Sequence, residues 1–336
     1  MSSIHSVLPV QVLIDTASRG TPSRMIFSPV MPKTAMLLFE DAPPELHDFG
    51  KAQLRGDKDS GYVVELDPDT LVTRTDGKAL AFRDPAGHVA YRPGKNELAI
   101  VFRSPDEEAH DSTVWRINPS DGSQLPSIYF DNPTAVAYSS DGELIAVGGL
   151  GGKVTVFRID TSGEAVEART VNVAGAVRSL VFEDLSRQVY VANENNMLVS
   201  FFHEVEDGIP VHRSIQVDDG CILTNMCLNA LAYGEGCNLL AAAGVGNEVW
   251  VSNQTTGRVR FFRLRDTTRV RTVQFDDVSD SLTVFSDSGV ELIAFSLDAE
   301  HLPVFDEHTV KFTPTMKMVG CHHFGDFLFV ASLLVV

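Results

Sequence analysis

Six arginines are concentrated in one short segment, and this density of guanidinium groups is the clearest chemical signal in the chain. The segment covers residues 257–273, reads GRVRFFRLRDTTRVRTV, and contains one acidic residue, Asp266. A guanidinium group binds carboxylates and phosphates through paired hydrogen bonds. A row of arginines is therefore suited to hold an acidic or phosphorylated peptide. The members of this arginine strip are Arg258, Arg260, Arg263, Arg265, Arg269 and Arg271.

Strand geometry leaves two interpretations of the arginine strip open. Alternate residues of a β-strand share a face, so Arg258 and Arg260 lie on one face, and Arg263 and Arg265 share a face. In the first interpretation, the arginines are solvated and protect an open sheet edge from pairing with other chains. In the second, they bind a partner protein through an acidic or phosphorylated segment. The second is our hypothesis for the partner-binding site.

Cysteine and histidine residues do not have the spacing of a metal site. Cys221, Cys227 and Cys237 are separated by five and nine residues, whereas structural zinc sites use closely spaced cysteine pairs. The tripeptide Cys321-His322-His323 places neighbouring side chains on opposite faces of a strand, so the three cannot reach one ion. We expect no metal and no cofactor.

Motifs of known catalytic chemistry are also missing from the sequence. It contains no GxSxG, no HExxH and no phosphate-binding loop. The glycine-rich stretch at 148–152 lacks the Lys-Ser/Thr pair and the following helix that phosphate binding requires, and it is typical of a hairpin turn. We therefore predict no catalytic residues and a protein that is not an enzyme.

Charge and composition restrict the class of partner and the compartment. The chain has 27 basic and 45 acidic residues, a net charge of −18, which disfavours nucleic acid and anionic membranes as partners. Four cysteines in 336 residues fit reduced thiols rather than a secreted disulfide scaffold. Residues 1–14 contain no Lys or Arg and do not resemble a signal peptide, and the apolar run FLFVASLLVV at 327–336 is too short to span a bilayer. We predict a cytoplasmic or nuclear protein.

Short strands separated by turns recur along the whole chain. The clearest unit, residues 134–161, reads TAVAYSSDGELIAVGGLGGKVTVFRIDT, with β-rich runs divided by Asp-Gly and Gly-Gly turns. Comparable units begin at Met25, His88, Val177, Leu231 and Val270. An aromatic residue ends the first strand of five units, at intervals of 47, 44, 51 and 42 residues: Tyr91, Tyr138, Phe182, Tyr233 and Phe275.

A repeat of 42 to 51 residues with about four strands per unit predicts an all-β protein with the architecture of a β-propeller. Dividing 336 residues by seven gives 48, so we expect seven blades in a single domain, residues 1–336, with six blades as the alternative. The seventh blade would combine inner strands from residues 318–336 with an outermost strand from residues 7–15, which pairs the two ends of the chain and closes the ring. The apolar last residues also fit a domain from a longer protein.

Three short motifs resemble the WD-repeat family. Gly87-His88 and Trp115-Arg116 occupy the places of its Gly-His and Trp-Asp dipeptides, and Ser140-Asp141-Gly142 occupies the usual turn between the first two strands. The endings VFRID and FFRLR are similar to its closing strand. The sequence has no Trp-Asp dipeptide, and Gly151 replaces the turn Asp, so hydrophobic packing must hold the blades together. This resemblance implies a non-catalytic scaffold for protein–protein interactions within a multiprotein assembly.

A second set of strings resembles bacterial lactonase and YVTN-type propellers. These are PTAVAYSSDGELIAVGG, VTVFRIDTSGEA and QVYVANENN. That resemblance implies the same architecture with lactone hydrolysis as the alternative function. A third alternative is a subunit of a nucleic-acid-associated complex that uses the arginine strip.

Overall fold

A computed structural model of the chain contains 28 β-strands in seven sheets and no helix in its described part. This confirms the prediction of an all-β protein. The structure describes residues 8–15, 22–27, 35–39, 62–65, 80–81, 86–102, 112–118, 123–183, 187–195, 197–202, 213–216, 228–264, 269–276, 281–286, 289–298, 303–305, 310–312, 318–324 and 327–334.

The sheets follow one another along the chain. Strand β1 (Leu8–Asp15) belongs to sheet 7. Sheet 1 contains β2 (Pro22–Phe27), β3 (Ala35–Phe39), β4 (Tyr62–Glu65) and β5 (Leu80–Ala81). Sheet 2 contains β6 (Ala86–Tyr91), β7 (Leu98–Phe102), β8 (Thr113–Ile117) and β9 (Gln124–Tyr129). Sheet 3 contains β10 (Pro133–Tyr138), β11 (Leu144–Gly149), β12 (Lys153–Ile159) and β13 (Ala165–Asn172).

The second half of the chain continues this pattern. Sheet 4 contains β14 (Val177–Glu183), β15 (Gln188–Asn193), β16 (Met197–Phe202) and β17 (Arg213–Gln216). Sheet 5 contains β18 (Leu228–Gly234), β19 (Leu239–Gly244), β20 (Glu248–Asn253) and β21 (Val259–Arg263). Sheet 6 contains β22 (Val270–Asp276), β23 (Ser281–Ser286) and β24 (Gly289–Leu297), with β25 (Pro303–Phe305) and β26 (Val310–Phe312) both paired to β24. Sheet 7 contains β27 (Met318–Phe324), β28 (Phe327–Leu334) and β1.

The first strand of each hairpin that opens a sheet has the same irregularity. In β10, Pro133 pairs with Gly149 and Ala135 pairs with Gly148, so Thr134 is the extra residue of a β-bulge. The register shifts at the same place in β2, β6, β14, β18, β22 and β27. Seven equivalent bulges indicate one repeated structural unit that extends to both ends of the chain.

The aromatic spacing found in the sequence matches this unit. Each aromatic residue is the sixth residue of its opening strand: Tyr91, Tyr138, Phe182, Tyr233 and Phe275. The predicted repeat therefore has the correct register, because the same strand position returns at each interval.

Opening strands of successive sheets are neighbours. Strands β2, β6, β10, β14, β18 and β22 each contact the next in this order, and β27 contacts both β22 and β2. The ends of the chain meet in sheet 7, where β1 pairs with β28 from Leu8–Phe327 to Asp15–Leu334. The predicted pairing of the two ends is confirmed. This pair is parallel, whereas all other pairs in the described part of the chain are antiparallel.

The hydrophobic core is divided among the interfaces between neighbouring sheets. Ile145 and Val147 of β11 pack in a cluster between sheets 2 and 3, and Leu144 and Ala146 pack between sheets 3 and 4. Because one face of β11 packs on sheet 2 and the other on sheet 4, all six of its residues are buried and the strand is apolar on both faces. Similar clusters join sheet 4 to sheet 5 and sheet 5 to sheet 6. Sheets 2 to 6 therefore form a continuous packed series.

The glycine-rich stretch at 148–152 is a hairpin turn, as predicted. Gly148 and Gly149 end β11, residues 150–152 form the turn to β12, and Gly148 pairs with Val154. Gly152 has a positive φ of 80°, and a Cβ atom there would collide with the carbonyl oxygen of Val173. The glycine is thus required by the turn and by the close approach of the connection between β13 and β14.

Candidate functional site

The structure divides the arginine strip between two sheets. Arg260 and Arg263 lie in β21, the last strand of sheet 5, and Arg258 immediately precedes it. Arg269 forms an isolated bridge with Val245, and Arg271 lies in β22, the opening strand of sheet 6. Arg265 lies outside the described residues. The five described arginines thus lie in or immediately before the end strands of two different sheets, the last strand of sheet 5 and the opening strand of sheet 6.

Side chains of β21 alternate between the two neighbouring interfaces. Phe261 packs on the cluster between sheets 4 and 5, and Phe262 packs on the cluster between sheets 5 and 6. By alternation, Arg263 shares the face of Phe261, and Arg260 shares the face of Phe262. The two arginines therefore lie on opposite faces of the same edge strand.

Each of these two arginines has an acidic neighbour from another part of the chain. Arg260 donates to Oδ2 of Asp298, which follows β24 of sheet 6, at 3.0 Å. Arg263 donates through Nε to Oε1 of Glu248 at 2.7 Å, its cross-strand partner on β20. The Arg263 side chain remains 79% exposed, so solvent and other molecules reach most of its guanidinium group. An exposed ion pair such as Arg263–Glu248 contributes at most about 1 kcal/mol to stability.

A second polar cluster is buried between sheets 2 and 3. Oε1 of Glu97 accepts hydrogen bonds from Nε of Arg116 at 2.6 Å and from the hydroxyl of Tyr138 at 2.7 Å. Oε2 of the same carboxylate accepts a hydrogen bond from Arg92 at 2.9 Å. Arg116 is completely buried and also donates to the carbonyl oxygens of Pro126 and Gly163. The cluster therefore connects the turn between β6 and β7 with strands β8 and β9 of sheet 2 and with sheet 3.

The ionisation of this cluster follows from its hydrogen bonds. Burial alone would raise the pKa of Glu97, but the donors Arg116, Arg92 and Tyr138 hold it below its ordinary value. Burial and the neighbouring carboxylate raise the pKa of Tyr138 well above its ordinary value. At neutral pH the pair is a carboxylate and a neutral phenol. A carboxylate with a lowered pKa and three hydrogen-bond donors is a weak general base. The cluster is therefore better suited to stabilise the packing of sheet 2 on sheet 3 than to transfer a proton.

A related cluster joins sheets 4 and 5. Glu183 accepts hydrogen bonds from Tyr190 at 2.5 Å and from Tyr233 at 3.2 Å, and the two phenol rings stack with centroids 6.4 Å apart. The hydroxyl of Tyr233 is also 2.7 Å from Oδ1 of Asn238, so its single proton is shared between two acceptors. Burial, followed by the charge of Glu183, raises the pKa of Tyr233. Both clusters use the repeated aromatic position, since Tyr138 and Tyr233 are each the sixth residue of an opening strand.

Sequence reasoning missed these two clusters. It assigned Trp115-Arg116 to the position of a family dipeptide and expected hydrophobic packing to hold the blades together. A usable signal was present, because Arg116 stands in the apolar strand TVWRI, where a fully buried position needs a charged partner. Hydrophobic clusters do join the sheets, and the buried hydrogen bonds of Glu97 and Glu183 join them as well.

Potential metal ligands are scattered. Cys237 lies after β18 with its sulfur 3.6 Å from the carbonyl oxygen of Gly234, and Cys321, His322 and His323 are consecutive residues of β27. Cys221 and Cys227 fall outside the described residues. Within the part of the chain that the structure describes, no group of three or more His, Cys, Asp or Glu side chains could hold a metal ion. The same part has no helix of sufficient length and hydropathy to traverse a membrane.

Comparison with known proteins gives no family for this chain. No protein-family model matches the sequence, and no curated protein matches it either.

Proposed function

We propose that the chain is a closed, seven-bladed β-propeller of WD-repeat-like architecture. Three features support this: the seven sheets with equivalent bulges, the contacts between successive opening strands, and the pairing of β1 with β28. In this arrangement each sheet is one blade, and the opening strands surround the central axis. All of residues 1–336 then form one domain.

This propeller serves as a non-catalytic scaffold for protein–protein interactions within a cytoplasmic or nuclear assembly. The observation that carries the proposal is the edge at β21, where Arg260 and Arg263 lie on opposite faces of the last strand of sheet 5. The rigid interfaces on both sides of the sheet hold this edge in place, and a fixed edge loses little conformational entropy when a partner binds.

The partner is a protein with an acidic or phosphorylated segment. Guanidinium groups bind both carboxylates and phosphates. The arginines of β21 place positive charge on one strand of a chain whose net charge is −18. The same net charge disfavours nucleic acid, whose many phosphates would meet mostly negative surface.

The proposal is tested with a variant in which Arg258, Arg260, Arg263 and Arg265 are all replaced by Ser. We expect capture of partner proteins by the tagged chain to weaken, and the loss of capture at high salt to become smaller, because charged contacts are screened. Thermal unfolding of the variant should shift little, since each surface substitution changes stability by about 0.5 kcal/mol or less. Arg178→Ser is the matched control, because Arg178 is a half-exposed arginine of β14 paired with Glu194.

Two results would contradict the proposal. Unchanged capture together with a large fall in melting temperature would show that the arginines pack structurally. Hydrolysis of a small lactone by the purified chain above the buffer rate, abolished by substitution of a single carboxylate, would show an enzyme of the lactonase type.

A further inference from the structure

Strand β21 presents one open edge. It is the last strand of sheet 5, and among the strands that the structure describes its ladder runs only to β20, from Val259–Ser252 to Arg263–Glu248. In a terminal strand, alternate N–H and C=O groups point away from the sheet and can pair with another chain. The backbone of residues 259–263 is therefore a template for one additional strand.

Charge distinguishes β21 from the last strands of sheets 2 and 3, which are β9 and β13. Strand β9 reads QLPSIY and has no charged residue, and β13 reads AVEARTVN and has one arginine and one glutamate. Strand β21 reads VRFFR, with two arginines and no acid. Its exposed apolar residue, Val259, is 39% accessible and lies at the start of the strand. An added strand would therefore meet positive charge on both faces of the edge.

We propose that an acidic peptide segment binds by β-strand addition, as a fifth strand of sheet 5 along β21. The inference deepens the proposed function and rests on it, since it specifies how the scaffold holds its partner. Main-chain hydrogen bonds supply affinity in this mode, and side-chain contacts supply specificity.

The spacing of the arginines defines the peptide. Arg260 and Arg263 are three residues apart and lie on opposite faces, so the residues paired with them on an added strand are also three apart and on opposite faces. The matching pattern is two acidic residues separated by two others. The incoming carboxylates exchange with Asp298 and Glu248, and the exchange costs little because both ion pairs are partly accessible to solvent and such pairs are weak.

Binding of a labelled peptide to the full chain tests this mode. The probe is the fluorescein-labelled octapeptide TVEVTEVT, measured by fluorescence anisotropy. One comparison peptide, TVQVTQVT, removes the charges, and another, TVEPPEVT, keeps the charges but removes two main-chain N–H donors. The protein variants are the double substitution Arg260→Gln with Arg263→Gln and the control Arg178→Gln.

We expect TVEVTEVT to bind the wild-type chain and the control equally. Both comparison peptides, and the double variant, should give at least tenfold weaker binding, and amide exchange at residues 259–263 should slow when the probe is bound. Equal binding of TVEPPEVT would overturn strand addition, because it would show a purely electrostatic contact. Equal binding by the double variant would overturn the assignment to β21.

Failure of the inference is distinguishable from failure of the proposed function. If the probe does not bind but protein capture still depends on the arginines, strand addition is wrong and the scaffold proposal stands. If capture is also independent of the arginines, both are wrong.

Discussion

The hydroxyl of Tyr138 donates a hydrogen bond to Glu97 across the interface between sheets 2 and 3, at 2.7 Å. The hydroxyl of Tyr233 donates to Glu183 across the interface between sheets 4 and 5, at 3.2 Å. Both carboxylates lie close to the turn between the first and second strands of their sheets. The repeated aromatic position thus has two roles in these sheets, because its ring packs between sheets while its hydroxyl satisfies a buried carboxylate of the preceding sheet.

Replacing Glu97 by Gln should destabilise the fold strongly. The substitution keeps the shape of the side chain but leaves the guanidinium group of Arg116 buried without its carboxylate. Removing one partner of a buried ion pair costs about 3–5 kcal/mol. The measurement is the free energy of unfolding from urea titration. Glu194→Gln is the control, since its ion pair with Arg178 is half-exposed and should contribute less than about 1 kcal/mol. Equal effects of the two substitutions would contradict the role of the buried pair.

The contribution of Glu97 to the free energy of unfolding should decrease at acidic pH. Its pKa in the folded state is lower than the ordinary value of 4.5, so the folded state holds the carboxylate ionised more strongly than the unfolded state does. The stabilisation is fully present above about pH 4.5 and is lost as the pH falls through the lower folded-state pKa. The difference in unfolding free energy between wild type and Glu97→Gln, measured from pH 7 to pH 3, should therefore stay constant and then shrink in the acidic range. A difference that grows on acidification would show that the sign is wrong.

The strands and their repeat could be predicted because their signals are local. Period-two alternation and the Asp-Gly turn at 141–142 lie within a few residues of the strands that they define, and the aromatic spacing needs only a count along the chain. The cluster around Glu97 could not be predicted in the same way, because Glu97 and Tyr138 are 41 residues apart and meet only when two sheets pack. The arginine strip shows both cases. Its alternation on β21 follows from the sequence, whereas its ion pairs use Asp298, 38 residues from Arg260, and the cross-strand Glu248.

Removing the hydroxyl of Tyr138 or Tyr233 should cost less than removing the carboxylate. Tyr138→Phe deletes one donor to Glu97 and leaves its two arginine partners in place. Tyr233→Phe deletes the one O–H donor that Glu183 and Asn238 share. We expect each to lower the unfolding free energy by about 1–3 kcal/mol, because a hydrogen bond to a charged group contributes more than a neutral one. Tyr129→Phe is the control, since Tyr129 is 80% exposed at the end of β9, and it should leave stability unchanged. A control that destabilises as much as the other two would assign the effect to the ring substitution itself.

Deleting residues 1–16 should make the protein aggregate. The deletion removes all of β1, which pairs with β28 over eight consecutive residues, from Leu8–Phe327 to Asp15–Leu334. The sequence of β28, FLFVASLL, has no charged residue and no proline that would hinder pairing with another chain once its edge is open. Light scattering at 37 °C should therefore rise with time for the truncated chain, and its melting temperature should fall. A shorter deletion, residues 1–5, leaves β1 intact and should behave as the full-length chain does. A truncated chain that stays soluble and melts at the full-length temperature would show that β1 does not protect β28, and the proposal of a closed propeller would then lose one of its three supporting observations.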